Sequence, residues 1–198
     1  ESSLFFRDVS ALLPPEIITQ LIKKGFRIFA GDSMQSHSWW LDYQGLTEEL
    51  SDVKVRQAML YAIDKDKIYG NIVGGYGTKL ECQIGTSAAF GHNPDLKSYP
   101  YDPDKAKHHL KKAGMEGVTL PLSAADTAFS GAVDAALLIK ESAAKAGINV
   151  DVIQEPNDGY WSNVWNKKGW CACYWGGRPT EDWMFAAAYV NDTEWNDT

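Results

Sequence analysis

The chain has 198 residues, of which 44% are hydrophobic, 23% charged and 12% aromatic, with a net charge of −7. This apolar and aromatic content supports a buried core and excludes disorder as the dominant state. The acidic balance leaves no basic stripe for phosphates, which excludes a general nucleic-acid binder. The longest apolar runs, such as Phe185 to Val190, fall far short of the roughly twenty residues that cross a bilayer. No signal peptide is present and the chain begins at Glu1, so a processed or cut chain is expected.

Leu4 to Val9 reads as a short strand, followed by the breaker Pro14-Pro15. Ile17, Ile18, Leu21 and Ile22 repeat at helical spacing over 16–24, and Gly25 supplies a stop. Phe26 to Ala30 and Trp39 to Tyr43 read as extended, and 46–50 as a connector. The strongest helix is expected from an N-cap at Ser51, with Val55, Met59, Ala62 and Ile63 on its buried face and Gly70 or Gly74-Gly75 at its end. The stretch 76–101 shows little periodicity, and so long an irregular segment is usually functional.

Asp102-Pro103 is a helix start, Ala106, Leu110 and Ala113 form its apolar stripe, and Gly114 ends it. A strand over 118–122 precedes a helix over 130–146, whose face is read as Val133, Ala136, Leu137 and Ala143. Ile148, Val150 and Val152 mark the next strand, Asn157 is expected to cap a helix through Lys168, and 170–175 is an apolar strand. It runs into Gly176-Gly177-Arg178-Pro179, after which Thr180 caps a helix through Tyr189. The alternation of helix and strand predicts an α/β fold: a mixed, mostly parallel sheet flanked by helices, with ligands beyond the carboxyl ends of its strands.

Of the four histidines, His108 and His109 lie on a lysine-rich helix face and read as solvated, while His37 and His92 sit in irregular segments without a nucleophile beside them. No phosphate-binding loop, dinucleotide fingerprint or zinc-protease motif is present. Cys171 and Cys173 would share one face of a strand, and with only Cys82 besides them a fourth zinc ligand is not evident. They read as buried thiols, with one disulfide to Cys82 allowed. The run from Trp175 to Trp183 is the best candidate site. Trp175 offers an aromatic platform, Gly176 and Gly177 let a ligand approach the backbone, and Arg178 presents a planar fork for a carboxylate. Glu181 and Asp182 sit in a first helical turn, where they also complement the helix dipole. Trp161 and Trp165, four apart, read as a core face. Trp39 and Trp40 point to opposite sides of a strand, so one is core and the other faces a cleft; Trp40 is kept as the candidate.

Together these segments resemble the extracytoplasmic solute-binding proteins of peptide/nickel-type ABC importers. The run Val55 to Lys65 (VRQAMLYAIDK) is similar to that family's "RVRQALNYAIDR" helix. Gly74-Gly75-Tyr76-Gly77, Tyr101 to Lys107, Ala144 to Val150, the turn at Trp175 and Trp195-Asn196-Asp197 follow in the family's order. The resemblance implies a two-lobed binding protein, more than twice as long as this chain, that closes on a small solute and delivers it to a membrane permease. On that reading residues 1–198 are a single excised lobe carrying half of a ligand cleft, with 1–50 including segments that border the hinge or first lobe.

The resemblance further implies a peptide-like ligand (oligopeptide, dipeptide or opine-like), no cofactor or metal, a monomer, and a periplasmic or cell-surface lipoprotein location reached through a removed signal peptide. In such a compartment a disulfide between Cys82 and Cys171 or Cys173 is permitted, with Cys82–Cys173 as the candidate pair. In oligopeptide-binding members the third position after the strand-end tryptophan is an aspartate that pairs with the peptide ammonium. Here it is Arg178, so Asp182 or Glu181 becomes the substitute anion, or the ligand carries a carboxylate for Arg178. Arg56 and Asp64 are expected to form ion pairs within the lobe. The alternatives are a thiol or histidine hydrolase using Cys171 or Cys173, and a nickel or haem carrier of the same importer family.

Overall fold

The computed structural model describes residues 15–27, 37–43, 47–75, 79, 92–176, 180–191 and 193–195, with 15, 37–43 and 181 through their backbone alone. The strand expected over Leu4 to Val9 lies outside these residues, and Phe26 and Arg27 are not in a strand. Helix α1 (Pro15–Lys23) forms where the helical spacing predicts it. Of its stripe only Ile18 is buried, while Ile17 and Ile22 are exposed.

The long helix expected from Ser51 is divided by two aspartates. The connector 46–50 ends in the short helix α2 (Glu48–Ser51), capped by Thr47. Asp52 then caps α3 (Val53–Ala62) by accepting the Lys54 N–H at 2.7 Å. The chain leaves the helix at Ile63, and Asp64 caps α4 (Lys65–Asn71) by accepting the Lys67 N–H. A short carboxylate that takes a backbone N–H competes with helix propagation and restarts it, so Gly70 lies inside a helix instead of ending one. Among the described residues neither Arg56 nor Asp64 forms the expected ion pair, and both make hydrogen bonds instead. Arg56 Nη1 donates to the Leu50 and Ser51 carbonyls at the end of α2, at 2.7 and 2.9 Å.

Helix α5 (Pro103–Ala113) follows its sequence signals, with Asp102 accepting the Lys105 N–H and Gly114 closing it at φ 68°. Strand β1 (His37–Tyr43) belongs to the same sheet as β2 (Thr119–Ala124), β3 (Asn149–Gln154) and β4 (Trp170–Gly176). Helix α6 (Ala132–Ala144) connects β2 to β3, α7 (Tyr160–Asn163) lies between β3 and β4, and α8 (Glu181–Ala188) follows β4. The face of α6 differs from the sequence reading: Ala135, Ala136, Ile139 and Ala143 are buried, whereas Leu137 is 50% exposed. Asn157 does not cap α7 either. Its Oδ1 accepts the Thr127 N–H at 3.0 Å, tying together the loops that follow β3 and β2. Helix α7 starts from Gly159 at φ 73°, where an added Cβ would come within 2.7 Å of the Asn163 side chain.

The strand order is β1-β4-β2-β3. Strand β1 runs antiparallel to β4 through seven paired positions from His37↔Gly176 to Tyr43↔Trp170. Strands β2 and β3 are parallel through six pairs from Thr119↔Asn149 to Ala124↔Gln154. Between these two ribbons the parallel pairing of β2 with β4 consists of Ser123↔Cys171 alone. This register places Leu120, Leu122, Val150, Trp170 and Ala172 on one face of the sheet, and Ser123, Cys171, Cys173 and Trp175 on the other. The main core gathers Leu120, Leu122 and Val150 with Ala136, Ile139 and Ala143 of α6, Val55 and Met59 of α3, and Leu110 of α5. A smaller cluster of Cys173, Trp175, Met184 and Ala188 seats α8 against the other face. The fold is thus α/β, with parallel strands covered by helices.

Candidate functional site

Strands β2, β3 and β4 are parallel, so their carboxyl ends lie along one edge of the sheet. The helix that follows β2 packs on the Leu120 face and the helix that follows β4 packs on the Cys173 face. The seam between β2 and β4 is therefore a topological switch point, and in open α/β sheets the crevice beyond the strand ends at such a point is where ligands bind. The pairing of β2 with β4 is brief because the strands are staggered: β2 ends one residue after Ser123, whereas Cys171 is the second residue of β4.

A side chain occupies the seam. The Tyr160 hydroxyl of α7 lies 2.7 Å from the Ala172 carbonyl, to which it donates, and 3.3 Å from the Ser123 carbonyl. Burial, followed by the nearby Cys171, Cys173 and Glu155, pushes this phenol well above its ordinary value, so it remains a neutral donor. Beside it Ser123, only 2% exposed, donates from Oγ to Glu155 Oε1 at 2.7 Å. Glu155 continues the sheet by one residue, its N–H donating to the Ala124 carbonyl at 2.9 Å.

An aromatic group flanks the edge. Trp161 meets Trp165 and Tyr174 edge-on, with ring centroids 5.9 and 5.3 Å apart. Trp165 meets Trp175 at 5.9 Å, and Trp195 lies 6.2 Å from Trp165 and 6.0 Å from Trp175. Quadrupoles favour such edge contacts, so these rings stabilise each other's orientation beyond their burial. Trp161, Tyr174, Trp183 and Trp195 keep exposed surface.

The sequence candidates divide as follows. Trp175 is at the carboxyl edge but only 7% exposed, its ring packed with Met184 and Ala188. Gly176 ends β4 and stands opposite His37. Gly177 and Arg178 lie outside the described residues. Glu181 is the first residue of α8 and Asp182 is exposed in its first turn, which Thr180 caps by accepting the Trp183 N–H at 3.4 Å. Trp40 pairs with Cys173 in register, so β1 carries it on the far side of β4 from the crevice. Cys171 and Cys173 are fully buried on β4, a poor position for a thiolate that must meet a substrate. Cys82 lies outside the described residues. Trp161 belongs to α7, whereas Trp165 falls in the turn that follows.

Sequence reading missed Ser123, Glu155 and Tyr160. A polar residue buried within an apolar strand end was a usable signal for Ser123. Tyr160 and Glu155 gain their positions only from the crossover that brings them to the seam. Elsewhere His109 is half-buried and stacks on Tyr61, centroids 5.6 Å apart, far from the solvated role expected of it. Burial, then the charges of His108 and Lys112, lowers its pKa from the ordinary 6.5.

A sheet of parallel strands covered by helices, with a switch point at its carboxyl edge, is an α/β architecture shared with solved periplasmic binding proteins. The family described as bacterial extracellular solute-binding proteins, family 5 Middle, matches residues 7–197, and the chain belongs to it. Over 77 residues it is 43% identical to the dipeptide-binding protein of Escherichia coli, covering 39% of this chain and 14% of that protein. Over 63 residues it is 41% identical to heme-binding protein A of Haemophilus influenzae, covering 32% of this chain and 11% of that protein. In fold it is similar to the ABC transporter-associated periplasmic binding protein DppA from Helicobacter pylori in complex with peptide STSA. The TM-score is 0.73 at 24% identity, covering 87% of this chain and 34% of that one. The chain thus spans about a third of the length of that solved relative.

Proposed function

We propose that this chain is one lobe of the substrate-binding component of an ABC importer, and that the crevice between β2 and β4 forms half of a cleft for a peptide-like solute. The observation that carries this reading is the switch point itself, the carboxyl edge of the sheet where β4 ends at Trp175-Gly176, with Gly177 and Arg178 next in sequence. A second lobe from the full-length protein closes over this edge, since one open face cannot enclose a solute. The loaded protein then delivers the solute to a membrane permease. It works as a monomer in the periplasm or as a cell-surface lipoprotein, after removal of a signal peptide. Among the described residues no helix is long and apolar enough to cross a membrane. Cys82 and Cys173 are the proposed disulfide pair, which mass mapping without reductant would identify.

Arg178 takes a carboxylate of the solute in this reading, with Gly176 and Gly177 giving it close backbone approach. Arg178→Ala in the full-length protein is expected to weaken solute binding about 10- to 100-fold, the equivalent of losing one charge-assisted hydrogen bond. Native mass spectrometry of the gently purified full-length protein identifies the co-purifying solute, and calorimetry with that solute measures the loss. Unchanged affinity in the variant would remove Arg178 from the site. A haem or nickel cargo is the second reading, favoured by the 41% match to a heme-binding protein. It requires a Soret band or stoichiometric nickel in the same preparation.

A further inference from the structure

We infer that Asn157 is a positioning residue for solute binding: it holds the loop between β2 and α6, residues 125–131, in the shape in which the solute meets it. This inference rests on the proposed cleft at the switch point, and names a residue that acts on that cleft without touching the solute.

Place comes first. Strand β2 is one of the two strands that bound the switch point, and it ends at Ala124. Residues 125–131 follow directly, so this loop stands at the carboxyl end of β2, where an open α/β sheet binds its ligands. Its backbone turns twice, the Ala128 N–H donating to the Ala125 carbonyl at 2.9 Å and the Ala132 N–H to the Phe129 carbonyl at 3.0 Å. Ala125 and Ala128 anchor it in the core, while Asp126 and Ser130 are exposed.

The ties from the neighbouring segment come second. Between Glu155 and Tyr160 the chain makes three hydrogen bonds that end on strand residues. The Glu155 N–H donates to the Ala124 carbonyl at 2.9 Å, the Ser123 hydroxyl donates to Glu155 Oε1, and the Tyr160 hydroxyl donates to the Ala172 carbonyl. Asn157 reaches past the strand end instead: its Oδ1 accepts the Thr127 N–H at 3.0 Å, inside the loop. Removing that acceptor leaves the three strand ties in place. The loop loosens and the sheet does not.

The energetic role comes third. Asn157 is exposed, so water can replace its oxygen at the Thr127 N–H, and the bond adds little to global stability. Water cannot replace the constraint. A loop already held in one shape is ordered at folding, and binding does not bear that entropy again. The side chain therefore matters more to a partner that meets the loop than to the fold beneath it.

The test uses full-length protein carrying Asn157, Asn157→Ala or Asn157→Asp, with a tryptic digest of casein as the probe. Native mass spectrometry weighs the captured peptides, and amide hydrogen exchange is followed across 125–131 and across β2. In the wild type the digest is expected to slow exchange in 125–131. Asn157→Ala is expected to speed exchange in that loop about tenfold, to leave β2 and the melting temperature unchanged, and to lower capture about three- to tenfold. Asn157→Asp keeps an acceptor oxygen and is expected to match the wild type in both readouts. A purely structural tie predicts wild-type capture by Asn157→Ala despite its faster loop, and that result overturns the inference. Loss of capture in both variants also overturns it, since Asn157 would then be a direct contact. Should Asn157→Ala fail to melt cooperatively, the wild type decides: peptides captured without slowing exchange in 125–131 overturn the positioning role and leave the peptide reading in place. No capture from the digest by the wild type overturns the peptide reading, and this inference with it.

Discussion

The two faces of the sheet are built to different standards. On the Leu120, Leu122 and Val150 face, α6, α3 and α5 cover the strands with an almost wholly apolar core. On the Cys173 and Trp175 face the cluster is small: Met184 and Ala188 of α8 lie over the strand, and aromatic rings at the edge stay partly wet. The first face holds the fold together. The second has its polar groups, Ser123, Glu155 and Tyr160, at the seam between β2 and β4. Stability and availability are thus divided between opposite sides of one layer.

Mutations should separate the two faces. Leu122→Ala, in the main core, is expected to cost about 3–5 kcal/mol, enough to unfold much of the protein, as read by urea denaturation. Met184→Ala in the small cluster should cost about 2 kcal/mol, because α8 can settle onto the strand; a loss equal to that of Leu122→Ala would erase the distinction. Thr180→Ala removes the cap of α8 and should cost about 1 kcal/mol or less, given the 3.4 Å length of its hydrogen bond.

The smallest effect concerns pH. His109 has a folded-state pKa below its unfolded value of 6.5, so the unfolded chain binds the proton first as pH falls. Stability is therefore full above about pH 6.5 and declines below it until the folded-state pKa is passed. His109→Phe keeps a ring against Tyr61 and should flatten that decline, measured as melting temperature between mild acid and neutrality.

Local signals in the sequence carried well into the structure. Asp102-Pro103 and Gly114 bound α5 because cap chemistry is decided within a few residues. The strand over 170–175 and the helix capped by Thr180 were legible for the same reason. Apolar spacing was a weaker guide: Leu137 has the right period but faces water, because periodicity does not say which face a neighbour covers. The division of α3 from α4 was written in Asp64, a cap that the surrounding helix pattern concealed. The seam was not legible at all. Ser123 and Glu155 are 32 residues apart, and Tyr160 reaches Ser123 across 37, so their meeting depends on the order of strands and not on any local pattern. The Trp175 turn was visible as a glycine-rich strand end, although its tryptophan turns out to be nearly covered.

The join between the two ribbons has a consequence for how such a protein changes over generations. Elsewhere the strands are held by backbone groups, which every residue but proline supplies, so substitution leaves their pairing intact. Across the seam one bridge is backed by the hydroxyl of Tyr160. A single nucleotide change from tyrosine to phenylalanine keeps the ring and deletes that contact, leaving the Ala172 carbonyl without its donor. The seam is thus open to alteration one atom at a time, while the sheet on either side of it is not.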